Sequence, residues 1–283
     1  MAAPLEWSEK MEKLFNKRVV MPVLNDPRTD MSQDISLGYP FPTIRNDIIR
    51  EGLADFSLGF DDGVHGPLTA SEKVLLYCFV NMKNHFFTSL AALQCHERNL
   101  KKLLDEKLLI IDIGCGPATA GLAFLEEFQG TTFDYLGVDH ARPMQDMATE
   151  FFAAANSAGL ARQKIITCFV NDWHGIKKHR FGTDNAVLVV FSYFFASESL
   201  KTDDLAALAD ILKKLKGHRA QKPVAILHMN SPRNHANRNY LKFRRLLGFD
   251  AKDNGMVRQQ VEFRKKRGSL VTTIEFVHEF LWL

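Results

Sequence analysis

The apolar positions of this chain alternate between two spacings. From Leu108 to Ile113 the residues are leucine and isoleucine with only Asp112 between them. Gly114 and Gly116 follow, and an alanine-rich stretch then carries Leu122, Phe124 and Leu125 at helical spacing. This pattern predicts strand, tight turn and helix. The alternation then repeats. Strands are expected over Phe133 to Val138, Lys164 to Val170, Ala186 to Phe191 and Pro223 to Met229. Helices are expected over Pro143 to Ala158, Leu200 to Leu215 and Asn237 to Leu247. Two last alternating runs, Val257 to Phe263 and Leu270 to Leu281, flank a turn at residues 265–268 and read as an antiparallel hairpin. Upstream, Thr69 and Glu72 form a capping box. It opens a long helix through Val74, Leu75, Cys78, Met82, Phe86, Leu90 and Leu93.

The first part of the chain is less regular. Trp7, Met11, Leu14 and Phe15 suit a short helix, but Pro22, Pro27 and polar turn residues through Asp34 suggest a loose arm. A helical pattern after Tyr39 to Pro42 runs through Ile44, Ile48, Ile49 and Leu53 and ends in the segment Gly59 to Gly66. The expected division is therefore residues 1–68, an arm with a helical extension, and residues 69–283, an α/β domain. No repeat or low-complexity tract is present.

Composition narrows the class. At 283 residues with ordinary apolar and charged fractions, the chain is long enough for a substantial core. No run reaches the roughly 18 apolar residues of a membrane helix. Glu6, Glu9 and Lys10 stand where a secretion signal needs an apolar run, so a cytoplasmic protein is expected. Cys78, Cys95, Cys115 and Cys168 form no C-x-x-C pair, so neither a metal site nor a disulfide framework is expected. Cys115, between the glycines, reads as a small turn residue. Charge is uneven: residues 213–267 hold sixteen Lys or Arg against three acids, whereas residues 1–212 carry an acidic excess.

The glycine turn is where chemistry is expected. Gly114 allows the chain to turn, and Gly116 lets a ligand approach bare main chain at a helix N-terminus. Asp112 sets the sign of that ligand. A dinucleotide's pyrophosphate would meet like charge there, at a cost on the order of 1 kcal/mol. Thr119 also replaces the Gly or Ala of the dinucleotide fingerprint. A cation such as S-adenosylmethionine, with an ammonium, a sulfonium and no phosphate, suits the site better.

The stretch Ile110 to Thr119 resembles the first motif of the class I, Rossmann-like S-adenosylmethionine-dependent methyltransferases. The likeness covers roughly residues 70–283, and the first seventy residues carry none. It implies a seven-stranded, mostly parallel sheet of order 3-2-1-4-5-7-6 with helices on both faces. It also implies a cofactor held by Asp112, Gly114 and Gly116 at the first strand end. Asp139, after the second strand, would accept the ribose hydroxyls; the alternative is a helix N-cap. Asp172 would accept the adenine amine, with Trp173 against the ring; the alternatives are a turn cap and ordinary core. Helices before the first strand form a substrate-side wall in that family, so Tyr77, Asn81 and His85 either face a substrate or lie on a solvated helix face.

After the fourth strand, Phe191 to Phe195 lacks the Pro-Pro signature of enzymes that methylate base amines, which disfavours that reaction. A flipped base stacked on Tyr193 or Phe194 stays open, beside the simpler reading that these rings cover the sulfonium. Methyl transfer needs positioning more than a dyad, so Tyr193, His228 and Asn230 are only weak catalytic candidates. Arg233, Arg238, Lys242, Arg244, Arg245 and Arg264 to Arg267 form a basic face expected to attract phosphate, with RNA preferred over DNA. The leading expectation is a methyltransferase of unassigned acceptor, possible substrates being RNA, a small molecule or a protein. The contrasting reading is a non-catalytic binding or scaffolding module on the same fold.

Overall fold

Strand β1 (Leu108–Ile113) lies at the centre of the molecule because its six residues are all buried, so both of its faces must be covered. In the computed structural model, which describes residues 3–30, 46–50, 53–61, 63, 67–161, 164–178, 185–218, 222–250, 255–266 and 268–283, it pairs in parallel with β2 (Phe133–Val138) and β4 (Ala186–Ser192). β3 (Ile166–Val170) lies beyond β2, and β5 (Val224–Asn230) beyond β4. β7 (Val271–Trp282) runs antiparallel between β5 and β6 (Val257–Arg264). The sheet order is β3-β2-β1-β4-β5-β7-β6, the Rossmann-like order expected above.

The period of two along β1 divides the core. Leu108 and Ile110 face one hydrophobic cluster, and Leu109, Ile111 and Ile113 face the other. Helices α1 (Glu9–Phe15), α5 (Lys83–Cys95), α7 (Thr119–Glu127) and α8 (Arg142–Ser157) supply the first face, and α9 (Thr202–Gly217) and α10 (Asn234–Leu246) the second.

The capping box is present: Glu72 N–H donates to Thr69 Oγ1 at 3.2 Å, and Thr69 N–H to Glu72 Oε2 at 2.7 Å. It opens α4 (Ala70–Tyr77), which continues through a π-turn, Cys78–Met82, into α5. An extra residue in a helical turn re-aims the side chains on it, and such turns are common at functional sites.

The start of the chain differs from the loose arm expected. Trp7, Met11, Leu14, Phe15, Val19 and Val23 are buried, and all but Val23 belong to the main core. Trp7 stacks on Phe86 at 4.4 Å between ring centroids. Leu5 pairs with β6, its N–H donating to Glu262 O at 2.8 Å and its carbonyl accepting from Arg264 N at 3.0 Å. Pro22 lies in α2 (Met21–Leu24), which continues α1 without a break through a π-turn at Asn16–Val20, an irregularity next to a residue that cannot donate a helical hydrogen bond. The expected helix after Tyr39 is described only as one turn, α3 (Asn46–Ile49); Tyr39 to Ile44 lie outside the described residues. Among the described residues no helix is long and apolar enough to cross a membrane.

Candidate functional site

Ligand sites in an open α/β sheet lie beyond the carboxyl ends of the strands, where strand order reverses; here that point is between β1 and β4. A cavity of about 510 Å³ opens there, walled by Gly114 and Gly116 after β1, Asp139 after β2, Asp172 and Trp173 after β3, and Tyr193 and Phe194 after β4. Segments far apart in sequence thus converge on one space. Its wall also holds Asp55 and Asp204, and among the described residues no Lys or Arg lines it. We refer to it as the aspartate pocket.

Backbone geometry shows why the turn needs glycine. Gly114 has φ 71° and Gly116 φ 50°. A Cβ on Gly114 would meet Phe194 Cδ2 at 2.6 Å, so Phe194 sits directly against the main chain. A Cβ on Gly116 would meet nothing nearer than Met144 Sδ at 3.9 Å. It would project into open space, which is where a ligand could approach.

Asp139 closes the turn from the β2 side. Its Oδ2 accepts from Gly116 N–H at 2.9 Å and its Oδ1 from Ala141 N–H at 2.9 Å. An ionised carboxylate has about four acceptor sites, and these amides occupy one on each oxygen. Two remain. Burial pushes the Asp139 carboxyl above its usual range, while the two amide hydrogen bonds oppose that shift. The carboxylate also takes the amide that a phosphate would otherwise use at the start of α7.

Asp112 lies elsewhere than expected. It is fully buried on the face of β1 shared by Leu108 and Ile110 and does not reach the cavity wall. Tyr135 donates its hydroxyl to Asp112 Oδ2 at 2.7 Å, and Oδ1 has no partner. Burial pushes this carboxyl up to about 7, with a smaller contribution from the nearby Asp139 charge. A group one layer beneath the turn acts on a ligand through its field rather than by contact.

Asp172 both lines the pocket and caps a turn, Oδ1 accepting from Gly175 N–H at 3.1 Å. Trp173 lines the pocket edge-on to Phe194, and its Nε1–H has no partner. Tyr193 holds the left-handed backbone region, φ 59°, which costs a non-glycine residue about 1–2 kcal/mol. Its ring stacks on His85 at 4.1 Å, and its hydroxyl donates to Thr88 Oγ1 at 3.3 Å. His85 Nδ1 in turn lies 3.2 Å from the Tyr77 hydroxyl. Of the three helix residues singled out earlier, Tyr77 reaches this pocket and Asn81 reaches a neighbouring one.

Two catalytic candidates belong to the core instead. His228 is fully buried on the opposite face of β5, stacked on Tyr240 at 3.6 Å, and burial lowers it to about 3. Asn230 is fully buried, donating to Ala236 O at 2.9 Å and accepting from Ser231 N–H at 2.8 Å. Neither lines the aspartate pocket. The basic face is also broken up. Arg244 is buried against Glu279 at 3.2 Å, Arg258 pairs with Glu275, and Arg264 pairs with Glu6 at 3.2 Å. Arg267 lies outside the described residues. Near-neighbour pairing, unreadable from composition, neutralises these charges.

One cluster appears away from the cavity. Cys95, His96 and His278 bring ligand-type atoms within 4.8 Å of one another. His96 Nε2 lies 2.9 Å from His278 Nδ1, and His278 Nε2 lies 2.9 Å from Gln259 Oε1, so a hydrogen-bond chain satisfies both rings.

No family model and no curated protein matches the chain. Solved structures align with it at low identity. A magnesium protoporphyrin IX methyltransferase from Synechocystis with bound S-adenosylmethionine is 17% identical, over 72% of this chain and 83% of that one, with a TM-score of 0.39. A precorrin-6y C5,15-methyltransferase from Geobacter metallireducens is 12% identical over 67% and 87%, with a TM-score of 0.40. An O-methyltransferase from Bacillus cereus in complex with SAH is 11% identical over 70% and 80%, with a TM-score of 0.36. Alignments this distant assign no activity. The fold stands on the chain's own strand pairing.

Proposed function

We propose that this protein is an S-adenosylmethionine-dependent methyltransferase whose cofactor occupies the aspartate pocket. The observation that carries the reading is the convergence of Gly114 and Gly116, Asp139, Asp172 and Trp173 on one cavity whose wall, among the described residues, holds four carboxylates and no Lys or Arg. Such a wall favours a cationic nucleoside and opposes a dinucleotide, because the Gly116 amide that would bind pyrophosphate already serves Asp139.

The residues present fit that cofactor. The open face of Gly116 provides a cradle that a Cβ would narrow. Asp139 has two acceptor sites left, which suit the two ribose hydroxyls. Asp172 offers an acceptor for the adenine end, and Trp173 a ring to lie against it. Phe194, pressed against Gly114, and Tyr193 close the other end with aromatic faces, which attract a cation. Asp112 adds a negative field from below once ionised.

Held by Asp139, Asp172 and Trp173, the cofactor would supply an electrophilic methyl group to the acceptor. The chain's own task is alignment, which can lower the barrier by about 7–11 kcal/mol. Tyr193, held in a strained conformation against His85 where the pocket opens to its neighbour, positions the acceptor with its ring while its hydroxyl is tied to Thr88. His228 and Asn230 have no part in this reading.

Calorimetric titration of the full chain tests it. S-adenosylmethionine should bind and NAD should not. Incubation with methyl-labelled cofactor and fractions of cell RNA, protein and metabolites should then place label in one fraction. Absence of cofactor binding overturns the reading, and binding without label in any fraction favours a non-catalytic module.

A further inference from the structure

A second cavity, about 650 Å³, adjoins the aspartate pocket. The two share Leu53, Tyr193, Ser197 and Leu200. Its volume falls in the range of small-ligand sites, about 300–1,000 Å³. The walls come from α3 and the residues after it, from the π-turn that carries Asn81, from residues 193–200, and from the start of α10. One side of each wall is therefore fixed by the core, while the other faces the cavity.

Its charge is opposite to that of its neighbour. Arg50, Arg233, His235 and Arg238 line it, against Glu198 alone among the acids of the described residues. Among the described residues, Arg50, Arg233 and Arg238 have no side-chain hydrogen-bond or ion-pair partner. Arg18, Arg142, Arg244 and Arg258 pair with Glu150, Asp146, Glu279 and Glu275, whereas the cavity's three arginines are drawn together without such partners. Three guanidiniums, all exposed at the cavity's edge, approach it from two separate segments and outnumber Glu198. Helix α10 adds to their positive charge, since its first turn holds no acid and its N-cap makes no side-chain hydrogen bond. Guanidinium forks match the oxygens of carboxylate and phosphate groups.

We propose that this arginine pocket binds the anionic group, a carboxylate or phosphate monoester, of a small methyl acceptor. The proposal rests on the methyltransferase reading of the adjoining pocket. The two fields sort the ligands: carboxylates hold the cation, guanidiniums hold the anion, and the reacting atoms meet at the shared wall beside Tyr193. Binding a charged group remote from the reacting atom fixes its orientation, which is how such contacts accelerate transfer. A concave site of about 650 Å³ suits a small molecule.

The test uses the full chain, calorimetric titration and three probes: phenyl phosphate, benzoate and a uridine oligonucleotide. At least one of the small anions should bind the wild type. The double variant Arg233→Gln/Arg238→Gln should bind it about tenfold or more weakly, the loss expected for charge-assisted hydrogen bonds. Its affinity for S-adenosylmethionine should be unchanged. Arg50→Gln supplies a second variant should the double variant not fold, and it should weaken the same probe. Asp139→Asn should lose cofactor affinity and keep anion binding. Equal small-anion affinity in wild type and both arginine variants overturns the proposal. So does oligonucleotide binding that depends on Arg233 and Arg238 while neither small anion binds. A wild type that binds the small anion through these arginines yet never binds S-adenosylmethionine overturns the acceptor role and the methyltransferase reading together, leaving an anion site of another kind.

Discussion

Asp139→Asn separates the two duties of one carboxylate. In the free protein its oxygens accept from Gly116 N–H and Ala141 N–H, both at 2.9 Å. Asn keeps one accepting oxygen and turns an NH₂ group toward the other amide. Loss of a hydrogen bond to a charged group costs about 1.5–3 kcal/mol. Burial already holds the Asp139 carboxyl above its usual range, so the neutral amide escapes part of a desolvation cost. The net fall in stability should then be about 1–2 kcal/mol, a drop in Tm of roughly 2–8 °C for a chain this large. The effect on the cofactor should be greater in ratio. Replacing the charged acceptor facing the ribose diol should weaken S-adenosylmethionine about tenfold to a hundredfold. Scanning calorimetry reads the first quantity and isothermal titration the second. A folded variant with wild-type cofactor affinity would refute the assignment of Asp139. Unchanged Tm would refute the placement of its two hydrogen bonds.

Two further outcomes test the frame. Trp7→Ala removes a ring stacked on Phe86 and edge-on to Phe87, and it should lower stability by about 3–5 kcal/mol in urea unfolding; a change under about 1 kcal/mol would mean that the start of the chain is the loose arm its sequence suggests. His228 is lowered to about 3 from an ordinary 6.5, so the folded state refuses a proton that the unfolded chain accepts. Its contribution is therefore complete above pH 6.5 and is lost as pH falls from there toward 3. His228→Phe should flatten the stability profile across that window by up to about 1.4 kcal/mol per pH unit, and a slope equal to that of the wild type would contradict the burial described.

The alternation of apolar runs and turn residues sufficed for the sheet and its helices, because a strand buried on both faces must be apolar throughout and a covering helix must carry an apolar stripe. The capping box at Thr69 was equally legible, since both of its partners lie three residues apart. The glycine turn and the acids ending β2 and β3 could be picked out because strand ends mark ligand sites in this architecture.

What the sequence could not reveal were relations between distant segments. Trp7 and Met11 look like a short amphipathic helix until α5 and β6 are brought against them. Asp112 and Asp139 look alike as carboxylates at strand ends, yet the pleat turns Asp112 under the sheet toward Tyr135 and leaves Asp139 in the cavity wall. Burial is set by neighbours that local spacing does not name, which also removed His228 and Asn230 from the site. The arginines show the same rule: composition counted those of residues 213–267 together, but tertiary pairing buried Arg244, neutralised Arg258 and Arg264, and left Arg233 and Arg238 at one cavity beside Arg50, which comes from the acidic part of the sequence. The sequence determined which elements form, because that depends on local periodicity; only the tertiary structure decided which charges remain uncompensated, because a charge's partner is chosen by folding in space.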